Sequence, residues 1–236
     1  MVLACGAANL GGVDTHVMVL AVALAFTAVL NWFAVARGDH VVDLVTRPTF
    51  PFLLIGLAWS LAAVPGAADG TAARVLPQVI TALGLCLLTD LLLLTATETR
   101  YLLGLWTSLL ANVAWTWAVV SVPGHGGLPW WVLVAVPFVV VAHGRWGRDV
   151  VRYAGRQRGS VFLHLLSLVG LVLVAAWQGD VVVLGGCALL LVSHLVLAHD
   201  RFCLERRWAP VLVMVAYHAA LVLLVIGLVG RGTFGR

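Results

Sequence analysis

The chain has no lysine, and charged residues of every kind make up only 10% of its 236 positions. A water-soluble domain carries about a quarter of its residues as charges, so that class is excluded. All fourteen basic residues are arginine. With abundant Ala, Val, Gly and Leu, this usage points to a GC-rich bacterial genome and hence to a bacterial plasma (inner) membrane. Cysteine is sparse: Cys5, Cys86, Cys187 and Cys203 form no CxxC pair, which argues against a disulfide framework. Cys86 and Cys187 fall mid-span, where a free thiol acts as a small apolar group. There is no HxxxH or HExxH, and His194 and His199 stand five apart, on opposite sides of a helix. No metal and no cofactor are therefore expected. Residues Met1–His16 lack a basic leader segment, which argues against a cleaved signal peptide.

What the chain has instead is apolar length. Hydrophobic residues reach 62%, in runs long enough to cross about 30 Å of hydrocarbon. The runs do not alternate polar with apolar, so a β-barrel is excluded. The expected fold is all-α: a polytopic transmembrane helical bundle, one domain over residues 1–236. The spans fall near Val17–Ala36, Thr49–Val64, Arg74–Thr95, Tyr101–Val122, Leu128–His143, Ser160–Trp177, Val181–His199 and Ala209–Val229. Arg37–Pro48 reads as a charged loop, Pro123–Gly127 as a turn-rich break, and Gly144–Gly159 as the largest polar segment.

Arginine placement sets orientation. Eleven of the fourteen lie in the loops after spans 1, 3, 5 and 7. The positive-inside rule then puts both termini outside. The net charge of +4 is explained by these loops and by anionic headgroups, without nucleic acid.

Asp90 is the only carboxylate inside a predicted span, in Leu83–Leu94, and such a group costs a few kcal/mol unless paired, hydrated or protonated. At about 1.5 Å per residue, Ser193 and His194 in span 7 reach nearly the same depth. Asn31, Asn112, Tyr217 and His218 also fall in the cytoplasmic half. The outer half offers only Gln78 and scattered Ser and Thr. Intramembrane polar groups of this kind line a site or a pathway. Leu-Leu-Thr89-Asp90-Leu-Leu-Leu also echoes Leu-Val-Ser193-His194-Leu-Val-Leu, as a parallel four-plus-four duplication would. Trp115 and Trp117, near mid-bilayer, either pack or line an acyl tunnel. Gly84, Gly104, Gly170 and Gly186 would admit close helix contact.

Several segments resemble one known family. Arg47-Pro48-Thr49-Phe50-Pro51 resembles its Lys-Pro segment, and Leu88-Thr89-Asp90-Leu91-Leu92-Leu93 its Gly-Asp-hydrophobic motif. Tyr101-Leu102-Leu103-Gly104-Leu105 with Ala111-Asn112 resembles its Phe-Leu-x-Gly…Ala-His segment. Ser193-His194-Leu195-Val196-Leu197-Ala198-His199-Asp200-Arg201-Phe202 resembles its Ser-Asp-x-x-Leu-Ala motif, and Val213-Met214-Val215-Ala216-Tyr217-His218 its final Val-Met-x-Tyr-Tyr. This is the YhhN-like, or lysoplasmalogenase, family of eight-helix membrane proteins, and the resemblance runs from about Asn31 to Gly230.

The resemblance implies hydrolysis of the vinyl ether bond of a lysolipid by two intramembrane Asp residues. Only the first is an Asp here, Asp90. The second falls on His194, the family's histidine of span 4 on Asn112, and the last Tyr-Tyr on Tyr217-His218. Asp90 would be the acid and His194 the base or water-positioner, with Asn31, Asn112, Ser193, Tyr217 and His218 contacting substrate. Two other readings of the pair stand beside this one. An Asp90–His194 ion pair could simply tie spans 3 and 7 together, or Asp90, His194, His218 and His164 could ligate a metal. At the level of function the alternatives are a catalytically silent lipid-binding or structural relative, and a small transporter. The expected partners are membrane lipids or a lysolipid substrate.

Overall fold

Two Gly-Asp pairs set the first and sixth turns of the bundle. Gly38 (φ 69°) and Gly179 (φ 76°) take the left-handed conformation that ends a helix cheaply. Asp39 and Asp180 then cap the next helix, accepting from the backbone N–H groups of Val41, Val42 and Val183 at 2.9–3.2 Å. Each pair folds one helix back along its predecessor. The computed structural model describes residues 2–63, 70–94, 97–123 and 132–230, and the regular elements among them are all helical. They are α1 (Val2–Arg37), α2 (His40–Ala62), α3 (Thr71–Leu93), α4 (Glu98–Val120), α5 (Val132–Tyr153), α6 (Arg158–Gln178), α7 (Val181–Phe202) and α8 (Ala209–Leu228). A 3-10 turn at Gly155–Gln157 separates α5 from α6.

Seven of the eight are long and apolar enough to cross a membrane among the described residues; α5 is not among the seven. At about 1.5 Å per residue, the 23 residues of α3 extend roughly 34 Å. The seven close into a ring, α1–α2–α3–α4–α6–α7–α8 and back to α1, with α5 outside against α6 and α7. Helix α8, apolar on all sides, also touches α2 and α3 and is the most buried. Outward-facing Val22, Phe26 and Phe33 of α1 share one exposed stripe, as a lipid-facing helix requires.

Three readings of the sequence change here. The charged Arg37–Pro48 stretch is mostly helix: α2 starts at His40 and runs through Pro48 and Pro51. Asp43 therefore sits within a helix, its side chain 13% exposed beside Arg47, so Asp90 is not alone as a carboxylate in a spanning helix. The polar segment from Gly144 is helical to Tyr153, because Gly147, Val150 and Ala154 bury one face while Arg145, Arg148 and Arg152 keep the other wet. The Leu128–His143 span and the Pro123–Gly127 break lie partly outside the described residues. Of the four glycines expected at close contacts, two are. A Cβ on Gly104 would lie 2.9 Å from a Leu93 methyl, and one on Gly186 2.9 Å from Leu224, whereas Gly84 and Gly170 face open space. Trp115 is buried in the core, and Trp117 is 58% exposed toward the lipid side, so neither lines the cavity described below.

Candidate active site

Four helices contribute one stripe each to a common cavity. On α3 the stripe is Cys86, Thr89, Asp90 and Leu93; on α7 it is Leu190, Ser193, His194, Leu197 and Arg201. Both follow the i, i+3, i+4, i+7 spacing of a single helical face. Helix α4 adds Tyr101, Ser108, Ala111 and Asn112, and α8 adds Val213, Met214 and Tyr217. Arg47 reaches in from α2. The cavity is partly open and offers about 100 Å³ to a water-sized molecule.

Asp90 is buried, and its Oδ2 accepts a hydrogen bond from the Tyr217 hydroxyl at 3.1 Å, joining α3 to α8. His194 is held at both nitrogens. Nδ1 lies 2.9 Å from the Leu190 carbonyl oxygen, which can only accept, so Nδ1 carries the proton of the neutral ring. Nε2 then presents its lone pair to the Ser108 hydroxyl, 3.2 Å away on α4. The Tyr217 ring stands edge-on to His194 at 6.3 Å between centroids. Behind His194 is the ring of His164, 5.0 Å away, with both nitrogens buried and unbonded.

The other polar groups bond around the rim. The Asn112 amide donates to Ser167 Oγ at 2.9 Å, and that hydroxyl donates to the His164 carbonyl at 2.7 Å. The Ser193 hydroxyl donates to the Val213 carbonyl at 2.9 Å, pinning α7 to α8. Arg47 forms a two-point ion pair with Asp43, Nε–Oδ1 at 3.1 Å and Nη2–Oδ2 at 2.7 Å. The Asn31 amide reaches the same Asp43 Oδ1 at 2.8 Å and Thr46 Oγ1 at 3.0 Å. At the mouth, the Arg201 guanidinium carbon lies 3.7 Å from the centre of the Tyr101 ring.

Of the residues expected at the site, Asp90, Asn112, Ser193, His194 and Tyr217 line the cavity. Asn31 and His218 do not. His218 is packed away from it, stacked on Phe50 at 3.9 Å and accepting from Trp32 Nε1 at 3.1 Å. The reading of Asp90 and His194 as an ion pair tying α3 to α7 is also replaced. Each is tied to another helix, Asp90 to α8 and His194 to α4. Among the described residues no three His, Cys, Asp or Glu side chains gather as metal ligands would.

Ser108, Tyr101, Arg201 and Arg47 were missed. The first three were legible by spacing: Ser108 is four residues before Asn112, Tyr101 seven before Ser108, and Arg201 seven after His194, all on the cavity face. Arg47 was lost with the misread start of α2.

The cavity lies wholly inside the region that comparison with known families picks out. The sequence model described as the YhhN family matches residues 42–228. The chain belongs to the YhhN family. That match takes in every cavity-lining residue and leaves out α1, which closes the ring. Neither the curated proteins nor the solved structures contain a match to the chain.

Proposed function

We propose that this YhhN-family chain is a membrane hydrolase that cleaves the vinyl ether bond of a lysolipid. One observation carries the reading: Asp90 and His194, brought from α3 and α7, line the same open cavity with no bond between them. A structural pair would close on itself, whereas an acid and a base that work on a third molecule must leave room for it.

The chemistry needs a proton at the alkene carbon and a water at the resulting oxocarbenium ion. Asp90, with Oδ2 held by Tyr217, delivers a proton from Oδ1 to the alkene carbon β to the ether oxygen, which leaves the carbon bearing oxygen as the oxocarbenium. Water then adds to the carbon bearing oxygen. Its proton passes through the Ser108 hydroxyl to Nε2 of His194, the ring nitrogen that the Leu190 contact leaves as acceptor. The hemiacetal collapses to an aldehyde and a glycerophospho-alcohol, and the proton on His194 returns to Asp90. One water is consumed and both side chains are restored.

A second reading, a catalytically silent lipid-binding relative, has one observation in its favour: both nitrogens of His194 already have protein partners. Aldehyde release from a lysoplasmalogen by the purified protein separates the two. The hydrolase predicts release by wild type and a drop of about 100-fold or more in Asp90→Asn and in His194→Ala, the usual scale for lost acid–base catalysis. No release from well-folded wild type removes the hydrolase reading and leaves the silent one.

A further inference from the structure

The cavity has two arginines at its edge, and they are not equivalent. Arg47 is bound edge-on by Asp43, with two contacts of 3.1 and 2.7 Å, and Asn31 fixes that carboxylate from α1. Its charge is met and its donor edge is in use. Arg201 is different. Among the described residues no carboxylate lies within ion-pair distance of it, and the Arg47–Asp43 pair is the ion pair found there. The adjacent Asp200 is turned away and accepts from the backbone N–H of Arg206 at 2.7 Å. What holds Arg201 is the Tyr101 ring beneath it at 3.7 Å, itself braced edge-to-face by Phe202 at 5.9 Å. A ring under the guanidinium fixes its plane and leaves the in-plane N–H donors free. Those donors match the oxygens of a phosphate two at a time.

Position adds a second constraint. Arg201 is seven residues, two helical turns, beyond His194 on the same face of α7, so the two backbones are about 10 Å apart along the axis. The glycerol unit between the ether and the phosphate of a lysophospholipid, together with the reach of the two side chains, accounts for that separation. We propose that Arg201, braced on Tyr101, is a phosphate subsite at the mouth of the cavity. Arg47, neutralised by Asp43, shapes the wall and does not take the anion. This proposal rests on the reading of the cavity as a lysolipid site, and it names the residue that holds the head-group phosphate of such a substrate.

The test is binding, so that it does not depend on turnover. Purified protein is titrated with three probes: a lysoplasmalogen, the corresponding 1-O-alkenyl glycerol without phosphate, and inorganic phosphate. Bound ligand is read by native mass spectrometry. The expected result is that Arg201→Gln weakens the phosphate-bearing lipid about tenfold, as loss of a charge-assisted pair would, and leaves the phosphate-free ether unchanged. Arg201→Lys, which keeps the charge and loses the fork, should recover part of the affinity. Arg206→Gln is the control, because Arg206 sits over Trp208 at 5.4 Å and does not line this cavity. It should bind like wild type. Displacement of the lysoplasmalogen by inorganic phosphate in wild type but not in Arg201→Gln would support the subsite and show that the phosphate alone is recognised. Equal binding of the phosphate-bearing lipid by Arg201→Gln and wild type overturns the subsite while leaving the cavity a lipid site. Equal losses in Arg201→Gln and Arg206→Gln overturn it as well, since only bulk charge would be at work. Binding of neither lipid by wild type overturns the lysolipid reading and the proposal with it.

Discussion

The two ends of the bundle are made of the same material and behave differently. In the half away from Arg201, Leu57, Ala58 and Leu61 of α2 pack with Val79, Ala82 and Leu83 of α3, Ala175 of α6, Val183 of α7 and Leu224 of α8, all of them buried. There α7 and α8 come so close that a Cβ on Gly227 would lie 2.7 Å from a Val183 methyl. In the other half the same helical stripes carry Asp90, Ser108, Asn112 and His194, and there the helices leave a cavity. The difference lies in where the polar side chains find partners. Asp90 bonds across the ring to α8 and His194 across it to α4, while Asn112 bonds to the neighbouring α6. A bond made through two side chains holds the helices it joins at side-chain distance, so these groups are satisfied while space is left between the walls. The apolar half has no such requirement and packs until van der Waals contact is complete, which is what drives helix association in lipid.

Asp90→Asn should separate the two halves most sharply. Under the acid–base reading, aldehyde release falls by about 100-fold or more. The melting temperature of the purified protein holds, because the amide still accepts from Tyr217 and, like the protonated acid, places no charge in the apolar interior. A melting temperature well below wild type would make Asp90 a structural tie first.

Leu224→Ala should do the reverse. Leu224 is fully buried in the tight half. In lipid the transfer cost of the lost methyl groups is small, so the cavity left behind sets the penalty, roughly 2 kcal/mol. Thermal unfolding in detergent would register it, with turnover per folded molecule unchanged. A turnover defect as large as the stability defect would mean that the tight half positions the cavity, and the division drawn here would fail.

How much of this was legible beforehand follows the same division. The fold class was readable because hydrocarbon thickness dictates helix length, and long apolar runs have one reading. The cavity-facing side of α7 was readable as well, since His194 and Arg201 keep one face. The start of α2 was not, because Pro48 and the charges around it look like a loop. What makes them a helix is the Asp39 cap, the Asp43–Arg47 pair and Asn31 from α1, and the last of these is a tertiary contact. His218 was misplaced for a related reason. It is adjacent to Tyr217, and depth along α8 cannot distinguish neighbours that point about 100° apart.

Tyr217→Phe tests the rim at a smaller scale. It removes the hydroxyl that holds Asp90 Oδ2 and leaves the ring against His194. One lost hydrogen bond is worth about 1 kcal/mol, so a melting-temperature drop of a few degrees is expected. Aldehyde release should fall by roughly the factor of five that corresponds to that energy. A loss as deep as that of Asp90→Asn would make the Tyr217 hydroxyl a proton carrier in its own right.

Ser193→Ala should have the smallest effect, and it defines where the working surface stops. Ser193 lines the cavity by position, and sequence alone placed it with the groups that contact substrate. Its hydroxyl, however, donates to the Val213 carbonyl at 2.9 Å, and the residue is buried. A donor engaged this way is part of the seam between α7 and α8, with no proton left for a ligand. Alanine fits the same space, so the expected cost is one hydrogen bond, about 0.5–1.5 kcal/mol in thermal unfolding. Aldehyde release should stay within about twofold of wild type. Release falling as far as in His194→Ala, with the melting temperature unchanged, would put the Ser193 hydroxyl on the substrate and widen the polar wall by one residue.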